Sequence, residues 1–599
     1  NKVENEPPVI KPSKQDTQKD PTINIDGKTA LLGDKVYYRV NIDASRLTDT
    51  AYKVWRLGMT DDYDQEYLTL DAKHVEILDE TGRDRTGEFN IQDKDGVLYA
   101  FAKTVDTQIP ATGETVPGDP QPGDLKAYSE KSDKDYDPLK DPSIDQSLLG
   151  HTYQVVMPMT VTKVKDGHTV ENTATQVTND KRDKTNTVTN PLKEINPTKD
   201  VTVQVGGDSI DGKSVYLNHT FLYRLDSSIL PPDRAYQTVT DWGGTDQLNT
   251  EYDQYLGNWA VYASRDLYRD GQMLAAKGEK IAGSGFDSSK FGGNLFTVDA
   301  DDNGKVAADA TQTYLDLVSA DNEHEAGWVL YLQCKRIAVA DEVPNTWTET
   351  INGQPRESNK VVTKTPDMTP SIHLEKVDTP TLKQDGQEQA DRDDPKQALK
   401  MDADNIGITF IITNTSKTDP ATGDGAWYKA SDLNLADSTI VGDAHVDMDS
   451  LTYPDNWDTL VLKPGESVSV TGTLKGVKEG DTHTDRAIVT GTPLVECAPS
   501  NGDPFNDKTD GGEDTDPEYS TGDVTEIDGK QLCADTQTTS NTDDWNGYRA
   551  KPLASTGTAV LGLAGGALAV LLAGGSLLVF RKRHYAQGSG RHTAVNAGK

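Results

Sequence analysis

The sequence VYYRV at residues 36–40 returns later in the chain as FLYRL at residues 221–225. Aromatic and aliphatic residues that alternate with polar ones are typical of a strand with one buried face. Eleven residues before the arginine of each copy stands the lysine of an Asp-Gly-Lys turn, and 14 residues before that stands Lys14 or Lys199. A repeat that keeps such intervals predicts two related β modules.

The far ends of the two copies match as well. Asn172 precedes Asn186 by 14 residues, and Asn345 precedes Asn359 by the same interval. Short alternating runs punctuated by Gly, Asn and Asp fill each copy, and Pro-rich links separate them. We therefore predict two β-sandwich modules with few helices, of which residues 310–318 are the best candidate.

A third β module is expected after the repeat. IGITFIITNT at residues 406–415 predicts a buried strand, and LKPGE at residues 462–466 predicts a tight turn before the next strand. This pattern resembles an immunoglobulin-like domain of bacterial surface proteins. Residues 500–552 are acidic, polar and Gly-rich, which favours a disordered linker that spans the cell wall.

Composition excludes several classes of protein. The 599 residues carry 97 Asp and Glu against 60 Lys and Arg, a net charge of −37, whereas nucleic-acid binding needs basic side chains. Three cysteines exclude a disulfide-dense scaffold. The chain has no Gly-x-Ser-x-Gly, His-Glu-x-x-His or phosphate-binding glycine loop, so we predict that it is not an enzyme.

The C-terminal sequence predicts attachment to a cell surface. Residues 558–580 are uncharged and long enough to cross a bilayer as a helix, and basic residues follow at once. The order of pentapeptide, apolar span and basic tail resembles the sorting signal of Gram-positive wall proteins, with alanine where the family motif has proline. That resemblance implies cleavage by a sortase and transfer to peptidoglycan; the alternative is a plain single-pass membrane protein. The pentapeptide is Leu553, Ala554, Ser555, Thr556 and Gly557.

The fold class that we predict is all-β: tandem immunoglobulin-like β-sandwiches, followed by a single transmembrane helix. Because Asn1 precedes Lys14 by the interval that separates Asn186 from Lys199, we expect the N-terminal residues to end a truncated upstream module. The predicted parts are 1–11, the end of that module; 12–190 and 191–367, the repeat modules; 368–499, the third sandwich; 500–552, the linker; 553–557, the sorting motif; 558–580, the membrane helix; and 581–599, a cytoplasmic tail.

The two repeat modules resemble the C-terminal domains of antigen I/II-type adhesins of Gram-positive bacteria. The similarity is strongest at NTWTETING, residues 345–353, and ESNKVVTKTP, residues 357–366. It implies that each module is sealed by an isopeptide bond between a first-strand Lys and a late-strand Asn, assisted by an Asp. By family position and repeat register, the residues assigned to this role are Lys14, Asp61 and Asn186 in the first module, and Lys199, Asp241 and Asn359 in the second.

The chemistry of such a bond explains the residue types. A lysine amine is nucleophilic when neutral, and burial lowers its pKa; a buried, protonated Asp can polarise the amide and move the proton. Asp62 is an alternative to Asp61 within the Thr-Asp-Asp run. The alternative is that these residues do not react: the lysines would be solvated residues at strand edges, and the Asn and Asp residues would lie in turns. In the third module, Lys376 and Asp485 are a weaker pair, which would lose water instead of ammonia.

The cysteines divide into two kinds. Cys497 and Cys533 flank the acidic segment, and in an extracellular protein we expect them to form a disulfide. Cys334 lies in an apolar run, which favours a buried free thiol.

One segment resembles half of a calcium-binding loop. Asp299, Asp301 and Asn303 offer oxygen ligands at alternate positions, and a glycine follows at the sixth. The twelfth position is Ala310, not Glu, so a hairpin turn is the preferred interpretation and calcium the alternative. No cofactor is otherwise expected.

These features together predict the stalk of a wall-anchored adhesin on the surface of a Gram-positive bacterium. The expected partners are sortase and peptidoglycan, and a host glycoprotein or matrix protein or a neighbouring cell. The alternatives are a pilus subunit, for which we find no linking-lysine motif, and the spacer of a surface hydrolase.

Overall fold

The computed structural model describes residues 8–51, 53–105, 117–118, 135–136, 143–379, 392–498, 505 and 524–552. These residues form three successive β-sandwich modules, which confirms the all-β prediction. The sorting motif at 553–557, the apolar run at 558–580 and the tail at 581–599 lie outside the described residues, as do residues 1–7. Among the helices that the structure describes, none has the length and apolar character needed to cross a membrane.

The first module packs two main sheets, ordered β1-β2-β11-β4 with β5 also on β11, and β14-β13-β3-β7-β6. Its strands are β1 (Ser13–Thr17), β2 (Lys35–Asp43), β3 (Leu57–Asp62), β4 (Leu68–Leu70), β5 (Glu76–Asp79), β6 (Phe89–Lys94), β7 (Val97–Ala102), β8 (Thr104–Val105), β9 (Pro117–Gly118), β10 (Ser143–Ile144), β11 (Thr152–Val161), β12 (Thr169–Asn172), β13 (Ala174–Thr178), β14 (Lys181–Lys184) and β15 (Val188–Pro191). Alternate residues of both sheets, such as Val40 and Met59, meet in one core.

The second module repeats this plan with sheets β16-β17-β25-β19-β22 and β23-β24-β18-β27-β28. Its strands are β16 (Thr198–Thr202), β17 (Thr220–Asp226), β18 (Trp242–Gln247), β19 (Asp253–Ala263), β20 (Leu267–Arg269), β21 (Gln272–Ala275), β22 (Lys280–Gly283), β23 (Phe296–Ala300), β24 (Lys305–Ala310), β25 (Trp328–Arg336), β26 (Ala340–Asn345), β27 (Trp347–Ile351), β28 (Gln354–Glu357) and β29 (Val361–Thr365). Helix α1 (Gln312–Ala320) begins two residues later than predicted, because Ala310 still belongs to β24. It buries Tyr314 and Leu315 against the core.

The third module has sheets β30-β32-β37-β35 and β31-β43-β38-β34. Its strands are β30 (Ile372–Asp378), β31 (Leu399–Lys400), β32 (Asn405–Asn414), β33 (Tyr428–Lys429), β34 (Asn434–Val441), β35 (His445–Val446), β36 (Val461–Leu462), β37 (Ser467–Lys475), β38 (Thr482–Gly491), β39 (Leu494–Glu496), β40 (Thr525–Ile527), β41 (Lys530–Ala534), β42 (Thr538–Thr539) and β43 (Asp543–Tyr548). Short 3₁₀ turns lie in all three modules, at Ala72–His74, Thr86–Glu88, Gln146–Leu148, Ser289–Phe291, Pro395–Gln397, Ala430–Asp432 and Met448–Ser450.

The predicted end of the third module at residue 499 is wrong. Strand β43 pairs with β38 in the middle of a sheet, and Trp545 is fully buried in the core. The acidic composition of residues 500–552 concealed this strand, since only a few apolar residues are needed to complete a sandwich already built by others. The part of that segment from 524 onward is therefore structural, not a linker.

Candidate cross-link sites in the three modules

Each module buries one lysine of its first strand. Lys14 on β1, Lys199 on β16 and Lys376 on β30 have side chains with no solvent exposure. Moving an unpaired ammonium group from water into a protein core costs on the order of several kcal/mol. A lysine in this position therefore demands a specific partner inside the sandwich.

In the first module that partner is Asp61. The Nζ atom of Lys14 donates a hydrogen bond to Asp61 Oδ2, and both residues are buried. The same nitrogen lies 4.6 Å from the centre of the Tyr38 ring. Burial lowers the pKa of Lys14, although Asp61 opposes that shift. Asp62, the alternative in the sequence, is exposed on the other face of β3.

In the second module the partner is Asp246, and the assignment of Asp241 to this role is corrected. Lys199 Nζ donates to Asp246 Oδ2 and lies 4.6 Å from the centre of the Tyr223 ring. Asp241 is exposed, and its carboxylate accepts a hydrogen bond from the backbone N–H of Gly353. Burial lowers the pKa of Lys199, and Asp246 opposes the shift.

A spacing in the sequence would have found Asp246. Asp61 follows Lys14 by 47 residues, and Asp246 follows Lys199 by the same 47 residues. Both acids also follow a threonine. Thr240-Asp241, a second Thr-Asp dipeptide, lies five residues before Thr245-Asp246, in the loop before β18.

The structure also gives Asn186 and Asn359 a different role from the predicted one. The Asn186 side chain accepts from the backbone N–H of Lys14 and donates to its carbonyl, each at 2.9 Å. Asn359 forms the same pair of bonds with Lys199, at 2.8 and 2.9 Å. Both asparagines are exposed. Both side-chain amides therefore hydrogen-bond the backbone of the first strand and not the lysine ammonium group.

Two other asparagines stand just before the strands that pair with the buried acids: Asn172 is the last residue of β12 and Asn345 the last residue of β26. Asp61 lies directly opposite Ala174, and Asn172 is two residues before Ala174. Asp246 lies directly opposite Trp347, and Asn345 is two residues before Trp347. Side chains two residues apart along an extended chain point to the same side, so each asparagine is on the side of its chain that faces the same way as the residue paired with the acid.

Asn172 and Asn345 are also buried without hydrogen bonds. Asn172 is 1 % exposed and Asn345 6 % exposed. Neither the amide nitrogen nor the amide oxygen of either residue has a hydrogen-bond partner among the described residues. An orphaned buried polar group costs about 1–3 kcal/mol, so four such atoms at equivalent places in two modules need an explanation beyond packing.

The third module surrounds its lysine with two acids. Lys376 Nζ donates to Asp437 Oδ2 and lies 2.6 Å from Asp485 Oδ1. The lysine nitrogen is 5.3 Å from the centre of the Phe410 ring. The structure thus brings together the weaker predicted pair, Lys376 and Asp485, and adds Asp437. The pKa of Asp437 is raised to about 6, because burial and the neighbouring Asp485 raise it more than Lys376 lowers it.

The remaining predicted sites are structural in character. Cys497 and Cys533 form a disulfide, the pairing that the sequence predicts, and Cys334 is a fully buried free thiol. Residues 301–304 form a hairpin turn between β23 and β24, in which Asp301 Oδ1 accepts from the backbone N–H groups of Asn303 and Lys305. Asp299 is exposed in the adjoining strand. Across the described ranges, no three His, Cys, Asp or Glu side chains cluster as metal ligands would.

Comparison with known families assigns both repeat modules. The model of the cell surface antigen I/II C2 terminal domain matches residues 12–192, and that of the cell surface antigen C-terminus matches residues 196–366. Aggregation substance of Enterococcus faecalis is 30 % identical over 324 residues, which are 53 % of this chain and 21 % of that protein. The chain therefore spans about a fifth of the length of this relative.

Two of the solved structures that match the chain are streptococcal. The C-terminal domain of the Streptococcus pyogenes antigen I/II-family protein AspA is 24 % identical, with 60 % of this chain and 100 % of that chain covered and a TM-score of 0.46. The C-terminal domain of the Streptococcus agalactiae AgI/II polypeptide BspA is 19 % identical, with 59 % and 99 % covered and a TM-score of 0.43.

Proposed function

Because the chain belongs to the antigen I/II type of cell-surface adhesins, we propose that its modules form a covalently locked stalk that carries an adhesin away from the cell. The first two modules are each sealed by one isopeptide bond. The bonds join Lys14 to Asn172 and Lys199 to Asn345, with Asp61 and Asp246 assisting. The observation that carries the proposal is the repeated combination of a buried lysine, a hydrogen-bonded acid and an orphaned asparagine amide.

The proposed reaction is balanced within the module itself. In the neutral state of the pair, the Lys14 amine faces a protonated Asp61, which donates a hydrogen bond to the amide oxygen of Asn172. The amine nitrogen attacks Cγ of Asn172, and Asp61 passes a proton from the attacking nitrogen to the departing one. The Cγ–Nδ2 bond breaks and ammonia leaves. The reaction occurs once in each module, with no turnover, so the chain is not an enzyme in the usual sense.

Burial supports the unusual protonation states that this reaction needs. The Lys14 and Lys199 ammonium groups lie in an apolar core, and their lowered pKa values favour the amine. The same low-dielectric surroundings strengthen any hydrogen bond to the developing charge on the amide oxygen. Moving a proton from lysine to aspartate within the pair removes both formal charges from the core, which reduces the desolvation cost.

Peptide mapping of the full chain tests this assignment. After reduction, denaturation and tryptic digestion, mass spectrometry should find the Lys14 peptide joined to the Asn172 peptide, lighter than their sum by one ammonia. Asn172→Ala should abolish that species, whereas Asn186→Ala, the matched control 14 residues away, should keep it. Asp246→Ala should abolish the Lys199 link and Asp241→Ala should not. Separate, unmodified Lys14 and Lys199 peptides from the native protein would overturn the proposal.

A cross-link of this kind suits a protein that is pulled. Tension enters a module at its first strand and leaves near its last, so β1 and the β12–β15 region bear it first. A covalent bond between Lys14 and Asn172 carries the force past the hydrogen-bonded ladders, which would otherwise separate strand by strand. The stalk then keeps its length while the cell and its target are pulled apart.

The C-terminal residues extend the proposal to anchoring. We infer that a sortase thiolate attacks the Thr556 carbonyl of the LASTG pentapeptide, that the bond to Gly557 breaks, and that a peptidoglycan amine resolves the thioester. In the source bacterium, Thr556→Ala should move the protein from the fraction released by wall-digesting enzymes to the membrane fraction. An unchanged wall fraction would refute sortase anchoring.

The partner of the adhesin is proposed only by class. A host glycoprotein or matrix protein, or the surface of a neighbouring cell, fits a surface protein of this family. Solid-phase binding of the purified chain to such surfaces tests whether these modules themselves adhere. Absence of binding would leave them the stalk role alone.

A further inference from the structure

The third module contains a site of the same design that nothing in the family comparison covers, since the matched residues end at 366. We propose that Lys376 and Asp485 form a third isopeptide bond, assisted by Asp437, and that this one forms with loss of water. This inference rests on the proposed function of the first two modules and extends it to a different acceptor.

Strand register identifies the acceptor. Asp437 lies directly opposite Ala487, and Asp485 is two residues before Ala487. The acid and the acceptor have the same relation in the other modules, where Asn172 and Asn345 are two residues before the partners of Asp61 and Asp246. The assisting acid is therefore Asp437, and the position of the asparagine amide is taken by the Asp485 carboxyl.

Contacts at the lysine agree with this division of roles. Lys376 Nζ makes its hydrogen bond to Asp437 Oδ2, as Lys14 and Lys199 do to their acids. Asp485 Oδ1 is 2.6 Å from the same nitrogen, yet neither oxygen of Asp485 forms a hydrogen bond of normal geometry among the described residues. His483 Nε2 lies 3.0 Å from Asp485 Oδ2 on the other side. The acceptor carboxyl is thus enclosed between an amine and an imidazole, away from water.

Burial makes condensation favourable here. An ammonium and a carboxylate in an apolar core are equivalent, after one proton transfer, to an amine and a carboxylic acid. The Lys376 nitrogen attacks Cγ of Asp485, Asp437 shuttles a proton from nitrogen to the leaving hydroxyl, the Cγ–O bond breaks, and water departs. The amide that remains removes two charges from the core, whereas in bulk water hydrolysis would be favoured by the solvent.

An aspartate and an asparagine acceptor give the same cross-linked product. A Lys–Asp and a Lys–Asn isopeptide bond are the same amide, so wild type and Asp485→Asn should yield cross-linked peptides of identical mass. The wild-type peptide is lighter than its two components by one water, and the variant by one ammonia. Asp485→Ala should release Lys376 as an ordinary tryptic site.

The experiment is the peptide mapping of the full chain that also tests the first two modules. A Lys376–Asp485 peptide in wild type, its equal in Asp485→Asn and its loss in Asp485→Ala are expected. A Lys376–Asp437 peptide would overturn the acceptor assignment, and an unlinked Lys376 would reduce the site to a buried ion pair. Because the links of Lys14 and Lys199 are measured in the same digest, their presence without the third link would overturn this inference alone. Their absence as well would overturn both proposals.

Discussion

The first strands of the first and third modules, β1 and β30, are equivalent, but the buried lysine of the third module is two residues further along its strand. In the first module, the Asn186 side chain brackets Lys14, which means that it accepts from the backbone N–H and donates to the backbone carbonyl of that residue. In the third module, Asn541 brackets Leu374 in the same way, with N···O distances of 2.8 and 2.9 Å. Lys376 lies two residues further along, directly opposite Phe410. The first-module residue at that place is Asp16, directly opposite Tyr38.

The acceptor has moved by the same step in the same direction. A Thr or Ser hydroxyl next to the bracketing asparagine accepts from Ala174 N–H in the first module and from Val489 N–H in the third. Asn172 precedes Ala174 by two residues, whereas Asp485 precedes Val489 by four. The segment that leads into β43 is aligned with β30, because Asn541 and Asp543 accept from the backbone N–H groups of Leu374 and Lys376. Strand β38 runs antiparallel to β43. A shift of two residues toward the start of β38 therefore matches a shift of two residues toward the end of β30.

The two modules keep the same spatial relation among the lysine, the acid and the acceptor. The lysine, the assisting acid and the acceptor are displaced together, while the surrounding framework of asparagine bracket and aromatic ring stays in place. A lone buried ion pair would need no third residue to follow it. The coordinated shift is what a three-residue reaction requires, because the amine must reach both groups at once.

The largest effect is expected from removing an acceptor in a repeat module. Asn345→Ala in the full chain should abolish the Lys199 link and lower the free energy of unfolding of the second module by about 5 kcal/mol, the loop-closure estimate for a cross-link spanning more than 100 residues. Calorimetry should follow the transition of that module. The matched Asn359→Ala loses two hydrogen bonds to the Lys199 backbone but keeps the link, so its loss should be about 1–3 kcal/mol. A larger loss for Asn359→Ala would reverse the roles given to the two asparagines.

The next effect distinguishes the third module from the repeats. Its acceptor strand and its bracketing asparagine are separated by an insertion that the Cys497–Cys533 disulfide closes, with a sequence separation of 36 residues. A cross-link over such a loop stabilises by about 4 kcal/mol in the chain-entropy account. The double variant Cys497→Ser, Cys533→Ser should therefore lower the unfolding temperature of the third module and leave the other two unchanged.

A reducing agent provides the control for that prediction. It should bring the wild-type third module to the unfolding temperature of the double variant and have no effect on the variant itself. Cys334→Ala, which removes the buried thiol of the second module, should leave the response to the reducing agent intact. A fall in the first or second module on reduction would show that the disulfide stabilises more than its own domain.

The sequence allowed the architecture to be predicted further than the sites. The family resemblance and the repeat intervals together led to Lys14, Lys199 and Asp61. The assignment of Asp241 was wrong because that Thr-Asp dipeptide does not keep the interval: Asp61 and Asp246 each follow the buried lysine by 47 residues, and Asp241 stands five residues earlier than Asp246. Choosing Asn172 over Asn186 required strand register, since both pairs keep the same 14-residue interval and only the structure tells which amide is already bonded. The third module, with a displaced site and an insertion before β43, gave no interval to count.

The smallest effect concerns the first-strand position that Lys376 occupies in the third module. The first module has Asp16 there, fully buried, and the second has Val201. Burial raises the pKa of Asp16 to about 7, against an ordinary value of 3.8; Asn190 and Lys14 lower it and Asp26 raises it. The folded module therefore holds a proton on Asp16 between about pH 4 and 7 that the unfolded chain has released. Unfolding in that window releases a proton, so the contribution of Asp16 to stability falls as pH rises and stays unfavourable above pH 7.

Asp16→Asn should remove this dependence. Hydrogen exchange of the β1 and β2 amides in the full chain, measured at pH 5 and pH 8 and corrected for the intrinsic exchange rate, should show protection in wild type that weakens toward pH 8. The variant should lose less protection over the same range, while Asp49→Asn, an exposed aspartate of the same module, should behave as wild type. The amides of β16 and β17, where Val201 fills the position, should show no such trend in either protein. Equal slopes in wild type and Asp16→Asn would mean that this buried carboxyl has found a charge partner, and that the pleat beside the aromatic ring can hold an ionised acid as readily as it holds the lysine of the third module.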